Sequence, residues 1–458
     1  MPAAGETKIL AEFLTALKYE SLPGEVVDAA KVLILDLIGC SLGAAQMTEG
    51  RVARDVAKAM LGAPEALVLG LGIRSSAAHA AYINGLTSHV IELDDTHRES
   101  ITHVGAAVIP AALAVAERDG ASGKQLLAAV VAGYEACLRI ANAVQPSLWR
   151  RGYLSMGACG SFGAAASVAH LRGLDVDKTR SALGLAGTQT GGLNASIYGE
   201  GDMGKRLVPA AAAHNGVISA IFAEKGLTGP ANILEQDKGF CKSFSDAYNL
   251  DRITDDLGTV WETARTSIKP YSCCRYNHAA IDGLLSIMHD ENIGAQDIKA
   301  ITVRTYDIAV VNRPHRTNPK TPFDAKMSIP YTLAIVAHLG NADEASFNDE
   351  SIARTDFQAF AGRVTVEADA RMTAVFPREW PAETIVLLND GRSFKSHIPF
   401  PKGEPEAPMS REEIERKFKS LAAVVLSEPA QDKVIDVIWN LDRYDSLDPL
   451  IEALTIPS

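Results

Sequence analysis

The sequence predicts a mostly α, α+β protein. A large all-helical domain, discontinuous along the chain, carries an inserted smaller α+β domain. Three observations predict this. Alanine-rich apolar stretches recur at helical spacing through most of the first 265 residues. Strand-like runs appear only beyond Ser267, with helices between them. Helical patterns alone return after residue 410. The implied divisions are 1–267, 268–404 and 405–458, with the proline-containing stretch from Gly403 to Pro408 as a linker.

In order, residues 6–21 and 24–45 read as helices, the second opened by Pro23-Gly24-Glu25. Residues 49–61 continue helical, and 66–72 form a short extended piece ended by glycine. Residues 76–91 and 104–119 are helices on either side of a polar segment. Ser122 opens a helix to about Val144. Glycines from 152 to 163 permit close packing and lead into a helix at 162–172. Asp175 opens another, to about Ala186. The Gly-, Thr- and Asn-rich stretch 187–204 is a loop system, and 205–225 is helical, so that almost everything to 265 is helix. Strands are expected at 298–311, 363–367 and 383–388, the last turning through Asn389-Asp390-Gly391 into 393–398. Helices at 278–290, 324–339 and 350–360 lie between them, and 410–427 and 429–455 close the chain.

The net charge of −12 argues against nucleic acid as a partner, because phosphate binding needs a basic face. No apolar run reaches membrane-spanning length; Val32 to Leu42 is interrupted by Asp36. No signal pattern opens the sequence. The six cysteines form no CxxC pair, which fits buried thiols in a reducing compartment and predicts a cytoplasmic protein. Nucleotide-binding glycine motifs are absent.

Four groups of residues can carry chemistry. His89 to Gly105 holds three histidines and four carboxylates between apolar flanks, the setting in which pKa values shift. Asp94, Asp95, Thr96 and His103 are its candidate acids, bases and donors, and His103 is the best proton carrier. Its alternative is a solvated loop, and its irregular spacing gives no metal motif. Lys205 and Arg206 follow a glycine-rich loop and open an apolar helix, where an anion would be held. Lys269, Cys273, Cys274, Arg275 and His278 sit at the proposed domain boundary, with a cysteine nucleophile as one option. Ser328 and Tyr331 share one helical face and, without further context, read as a hydrogen-bonded pair.

Taken together these motifs resemble the MmgE/PrpD family. They are Asn84-Gly85, His89, Asp94-Asp95-Thr96, His103, Lys205-Arg206, Lys269 with Cys274 and His278, and Ser328 with Tyr331. The match runs in order from about residue 8 to 450. The family includes 2-methylcitrate dehydratases, cis-aconitate decarboxylases and an iminodisuccinate epimerase. The resemblance implies a site between two domains, no cofactor, no metal and a homodimer. It puts Asp94, Thr96, His103, Lys205 and Lys269 in active-site places, with Glu92 as a second acidic group. Ser328 and Tyr331 are expected to approach from the small domain.

Two departures bear on the reaction. Gly152-Tyr153-Leu154 places leucine where the family's second histidine stands, so Tyr153 is the candidate replacement acid. Ala210-Ala211 replaces the usual Gly-Arg. The expected activity is therefore first a hydro-lyase of the 2-methylcitrate dehydratase kind, acting on a small di- or tricarboxylate. A two-base epimerase of an aminodicarboxylate comes next, then a cis-aconitate-type decarboxylase. A non-catalytic member is the alternative from another class.

Overall fold

The computed structural model describes residues 5–60, 62–197, 203–310 and 315–456. Parts of the expected 49–61 helix, the 187–204 loop system and the 298–311 strand therefore lie outside the described residues, as do Gly201 and Asp202. The chain is mostly helical, with one four-stranded sheet and one short two-stranded ribbon among the described residues.

The helical part is built by small residues. Helices Ala77–Ser88, Gly105–Asp119, Gly123–Val144, Gly160–Leu171 and Leu207–Glu224 pack on one another. A Cβ on Gly133 would lie 2.5 Å from Val108 Cγ1 and 2.8 Å from the Gly163 carbonyl, so glycine sets that helix spacing. Ser122 caps the 123–144 helix in a reciprocal capping box with Gln125. Gly123–Val144 and Gly204–Glu224 are long and apolar enough to cross a membrane, contrary to the expectation that no run reaches that length. The first is wholly buried, as a core helix must be; the second is half buried.

Several boundaries move for identifiable reasons. The helix expected over 76–91 stops at Ser88, where Thr87 and Ser88 hydroxyls bond back to carbonyls of their own last turn. The 324–339 helix divides into Pro322–Lys326 and Ile329–Leu339, because Ser328 caps the second piece and Pro330 lacks an N–H. Between residues 226 and 265 only short helical turns occur, where near-continuous helix was expected.

The ribbon pairs β1 (Ala66–Val68) with β2 (Ile73–Ser75). The larger sheet contains β3 (Ile298–Thr305), β4 (Val364–Ala368), β5 (Ala382–Leu388) and β6 (Ser393–Ile398), in the order β4-β3-β5-β6. β3 and β4 are parallel; the other pairs are antiparallel. β5 alternates buried Ala382, Thr384, Val386 and Leu388 with half-buried residues, so one face meets helix His278–Asp290. β3 ends at Thr305, and the Asp307 carboxylate then accepts the Ile308 N–H to start a helical turn.

Residues of the sheet and its helices form one buried apolar cluster. Ile414, Phe418, Val434 and Ile438 belong instead to the cluster containing Leu10, Ile34 and Leu126. Helix Arg411–Ala422 lies on helix Gly24–Gly43, with Phe418 against Gly39. Phe418→Ala should therefore cost about 3–5 kcal/mol in chemical denaturation. A loss below about 1 kcal/mol would show that the returning helix does not help build this core.

Candidate active site

Residues 90–93 leave helical geometry, and their buried carbonyls need donors. Four cations from three parts of the chain supply them. Arg206 Nη2 donates to Val90 O (3.4 Å), Lys326 Nζ to Ile91 O (3.0 Å), Lys269 Nζ to Glu92 O and Lys417 Nζ to Leu93 O (both 2.8 Å). Glu92 adopts a left-handed backbone (φ 57°), a strain of order 1–3 kcal/mol that the clamp holds. Its carboxylate accepts Lys205 Nζ at 2.6 and 2.7 Å. Burial alone would raise the Glu92 pKa, but the charges of Lys205, His89 and Lys269 hold it well below the carboxylate range.

Beyond Asp94 the chain forms a tight hairpin. Thr96 exchanges backbone hydrogen bonds with Ser267, and His97 with Thr102, so that His103 returns beside Asp95. Asp95 organises this turn: its carboxylate accepts the Gly105 N–H (3.0 Å) and the Tyr134 hydroxyl (2.7 Å). Burial, then the charge of Asp94, pushes the Asp95 pKa up to about 7. A Cβ at Gly105 would lie 2.7 Å from the Tyr134 hydroxyl, so glycine is needed where the next helix begins.

His103 Nδ1 lies 2.7 Å from the Asp95 carbonyl oxygen. A carbonyl can only accept, so Nδ1 carries the proton and Nε2 keeps its lone pair. Burial, then the charge of Lys269, holds the His103 pKa well below the usual histidine range, although Asp94 opposes this. At pH 7 His103 is thus a neutral imidazole with one basic nitrogen. Behind it His89, absent from the expected site set, places Nδ1 2.9 Å from Asp94 Oδ2, its ring 5.0 Å from that of His103. Its position in the same polar segment was the available signal. Burial works against an ionised Asp94, but His89 and then His103 hold its pKa well below the usual range.

These groups open onto a cleft of about 550 Å³. The cleft lining includes Glu92, Thr96, His103, Lys205, Cys274 and Arg275, together with Leu154, Met156, Ile197, Trp149 and Trp380. The Arg275 guanidinium is held by Glu404 Oε1 (2.7 Å from Nη2), with His278 Nδ1 2.8 Å from Nη1. His278 therefore backs Arg275 from outside the cleft.

Other expected site residues stand elsewhere. Lys269 is wholly buried beneath Glu92, so its charge reaches the cleft as a field. Arg206 turns away from Lys205 into a neighbouring cleft, 4.2 Å above the Phe323 ring. The Tyr153 ring packs at a tilt on Phe244 (centroids 4.9 Å apart) against the helical core, while Leu154 lines the cleft. Ser328 caps its helix and donates to Arg316 O, and Tyr331 donates to Ser351 O; neither lines the cleft. Both are structural because every polar atom they carry is committed to backbone. Burial pushes the Cys273 thiol far up, which keeps it protonated and unreactive.

His89, Asp94 and His103 offer ligand atoms within 4.8 Å of one another. Their Nδ1 atoms are already committed, and Lys205 and Lys269 both depress the His103 pKa, a positive field that also opposes a divalent cation. EDTA should therefore leave turnover unchanged in a steady-state assay; loss restored by added metal would overturn this reading. Lys417 also pairs with buried Asp36 at 2.5 Å. Lys417→Met should cost about 3–5 kcal/mol in denaturation, since it strands a buried carboxylate and a carbonyl. A neutral effect would show that the clamp is not needed for folding.

Comparison with known proteins agrees with this architecture. Residues 8–253 match the MmgE/PrpD N-terminal domain and residues 271–443 the MmgE/PrpD C-terminal domain. The chain is 27% identical to the cis-aconitate decarboxylase of Aspergillus terreus, with 99% of this chain and 96% of the relative aligned. It is 27% identical to the cis-aconitate decarboxylase-like protein oryM of Aspergillus oryzae, over 99% of this chain and 98% of that one. The human cis-aconitate decarboxylase is 25% identical over 99% and 95%. With both domain matches in order along nearly its whole length, this chain belongs to the MmgE/PrpD family.

Proposed function

We propose that the protein is a lyase acting on a small di- or tricarboxylate, at a carbon beside a carboxylate, with His103 as its proton carrier. The observation that carries this reading is the fixed tautomer of His103, whose basic Nε2 belongs to a ring on the wall of a cleft that also holds Lys205. The basic Nε2 of His103 suits a reaction that moves a proton at a carbon beside a carboxylate.

Decarboxylation is the first reading, favoured also by the names of the relatives. The bond to one carboxylate breaks, carbon dioxide leaves, and the electron pair stays on carbon, delocalised toward a neighbouring carboxylate. Carbon then takes a proton that His103 Nε2, on a ring 18% exposed, has first accepted from water. Dehydration is the second, favoured by the low pKa of His103. There His103 removes the proton next to a carboxylate and returns it to the departing hydroxyl on the same face. Epimerisation needs a second carrier, and Leu154 supplies none where the family's second histidine stands. The division at 1–267, 268–404 and 405–458, a homodimer and cytoplasmic residence belong to the same proposal, supported by the shared apolar cluster, the family resemblance and the free cysteines.

His103→Ala should lower kcat about 10²–10⁴-fold with the fold intact. The pH profile separates the readings. If His103 acts as a base, kcat/KM holds to pH values below 6.5 and falls only as pH drops through its lowered pKa. If it acts as the acid, the rate rises as pH falls through that value. In D₂O, decarboxylation places deuterium on the product carbon. Unchanged behaviour of His103→Ala across cis-aconitate, citrate and 2-methylcitrate would reject the lyase reading and favour a non-catalytic member.

A further inference from the structure

The cleft lining is mixed in kind. Among the described residues the cations that line it are Lys205 and Arg275, and each already faces a protein carboxylate. Lys205 gives two of its three N–H groups to Glu92. Arg275 is surrounded by Glu404, the Lys402 carbonyl and His278 Nδ1. Each further carboxylate on a ligand would therefore compete with Glu92 or Glu404 for these cations.

Part of the lining is hydrocarbon. Leu154, Met156 and Ile197 form a small buried apolar cluster of their own. Trp380 and Tyr276, packed with Ile101, Trp149 and Cys274, belong to a second. Both clusters contribute to the same cleft as His103. Leu154 is 6% exposed and stands where the family's second histidine was expected, so at that position the ligand meets apolar surface. Apolar lining in one cleft with a compensated cation pair recognises a molecule of mixed character.

We propose that the preferred substrate is a dicarboxylate bearing a short hydrocarbon arm, the arm lying against Leu154, Met156 and Ile197 and one carboxylate meeting Lys205. The proposal rests on the lyase reading for its chemistry, but the recognition it describes is measurable without turnover. Burying each added methylene strengthens binding roughly fourfold while the wall has room.

The test measures binding of unreactive analogues to the whole protein by calorimetry: succinate, methylsuccinate, propylsuccinate, butylsuccinate and tricarballylate. Affinity should climb about fourfold per methylene along the alkyl series, and butylsuccinate should bind at least tenfold more tightly than tricarballylate. Leu154→Ala should flatten the alkyl series while leaving succinate affinity within twofold. A flat series in the unmodified protein, or tricarballylate binding most tightly, would overturn the proposal. If the alkyl trend holds while His103→Ala changes no turnover, the lyase reading fails and the recognition stands. If His103 proves essential and the trend is absent, the reverse follows.

Discussion

Four consecutive carbonyls, from Val90 to Leu93, accept hydrogen bonds from four cationic side chains far apart in sequence. The rest of the site depends on this clamp. An unpaired buried carbonyl costs about 1–3 kcal/mol, and an unpaired buried ammonium more. Each group therefore solves the other's problem, and the non-helical path that carries Glu92 becomes tolerable. Lys326 comes from the sheet-bearing part and Lys417 from the returning helices, so the clamp also ties the parts of the chain together. Glu344 and Asp36 balance those two lysines from behind.

From this fixed segment the electrostatics of the cleft follow. Glu92 stays ionised beside Lys205, and Asp94 stays ionised beside His89. Asp95, one position on, is pushed the other way by burial and by Asp94. Adjacent carboxylates thus shift in opposite directions, because Asp94 lies beside two imidazoles while Asp95 is buried next to the Asp94 charge. The overall charge of −12 does not decide the local field; Lys205, Lys269 and Arg275 do. His103 stays neutral in that field and so offers one lone pair to the cleft.

The leucine at 154 adds to the apolar part of the site. The same cleft is lined by the proton carrier and cations and by members of two small hydrophobic clusters. Such a mixed lining lets one site choose its ligand by apolar contact as well as by charge.

Much of this was legible in the order of residues. Apolar periodicity separated the helical stretches from the sheet, and the Asn389-Asp390-Gly391 turn was recovered because its chemistry is local. The polar segment around His103 stood out for the same reason, as did the lysines at 205 and 269. Direction was not legible. Lys205 and Arg206 are neighbours, yet one enters the cleft and the other stacks on Phe323. Tyr153 and Leu154 divide likewise between core and cleft. Ser328 and Tyr331 matched a motif, but their hydrogen bonds serve the helix and the chain behind it. Residue type and spacing settle which segments fold and what chemistry they carry. Which side chains meet depends on backbone dihedrals and on partners hundreds of positions away, such as Lys417 for Leu93, and these exist only once the chain has packed.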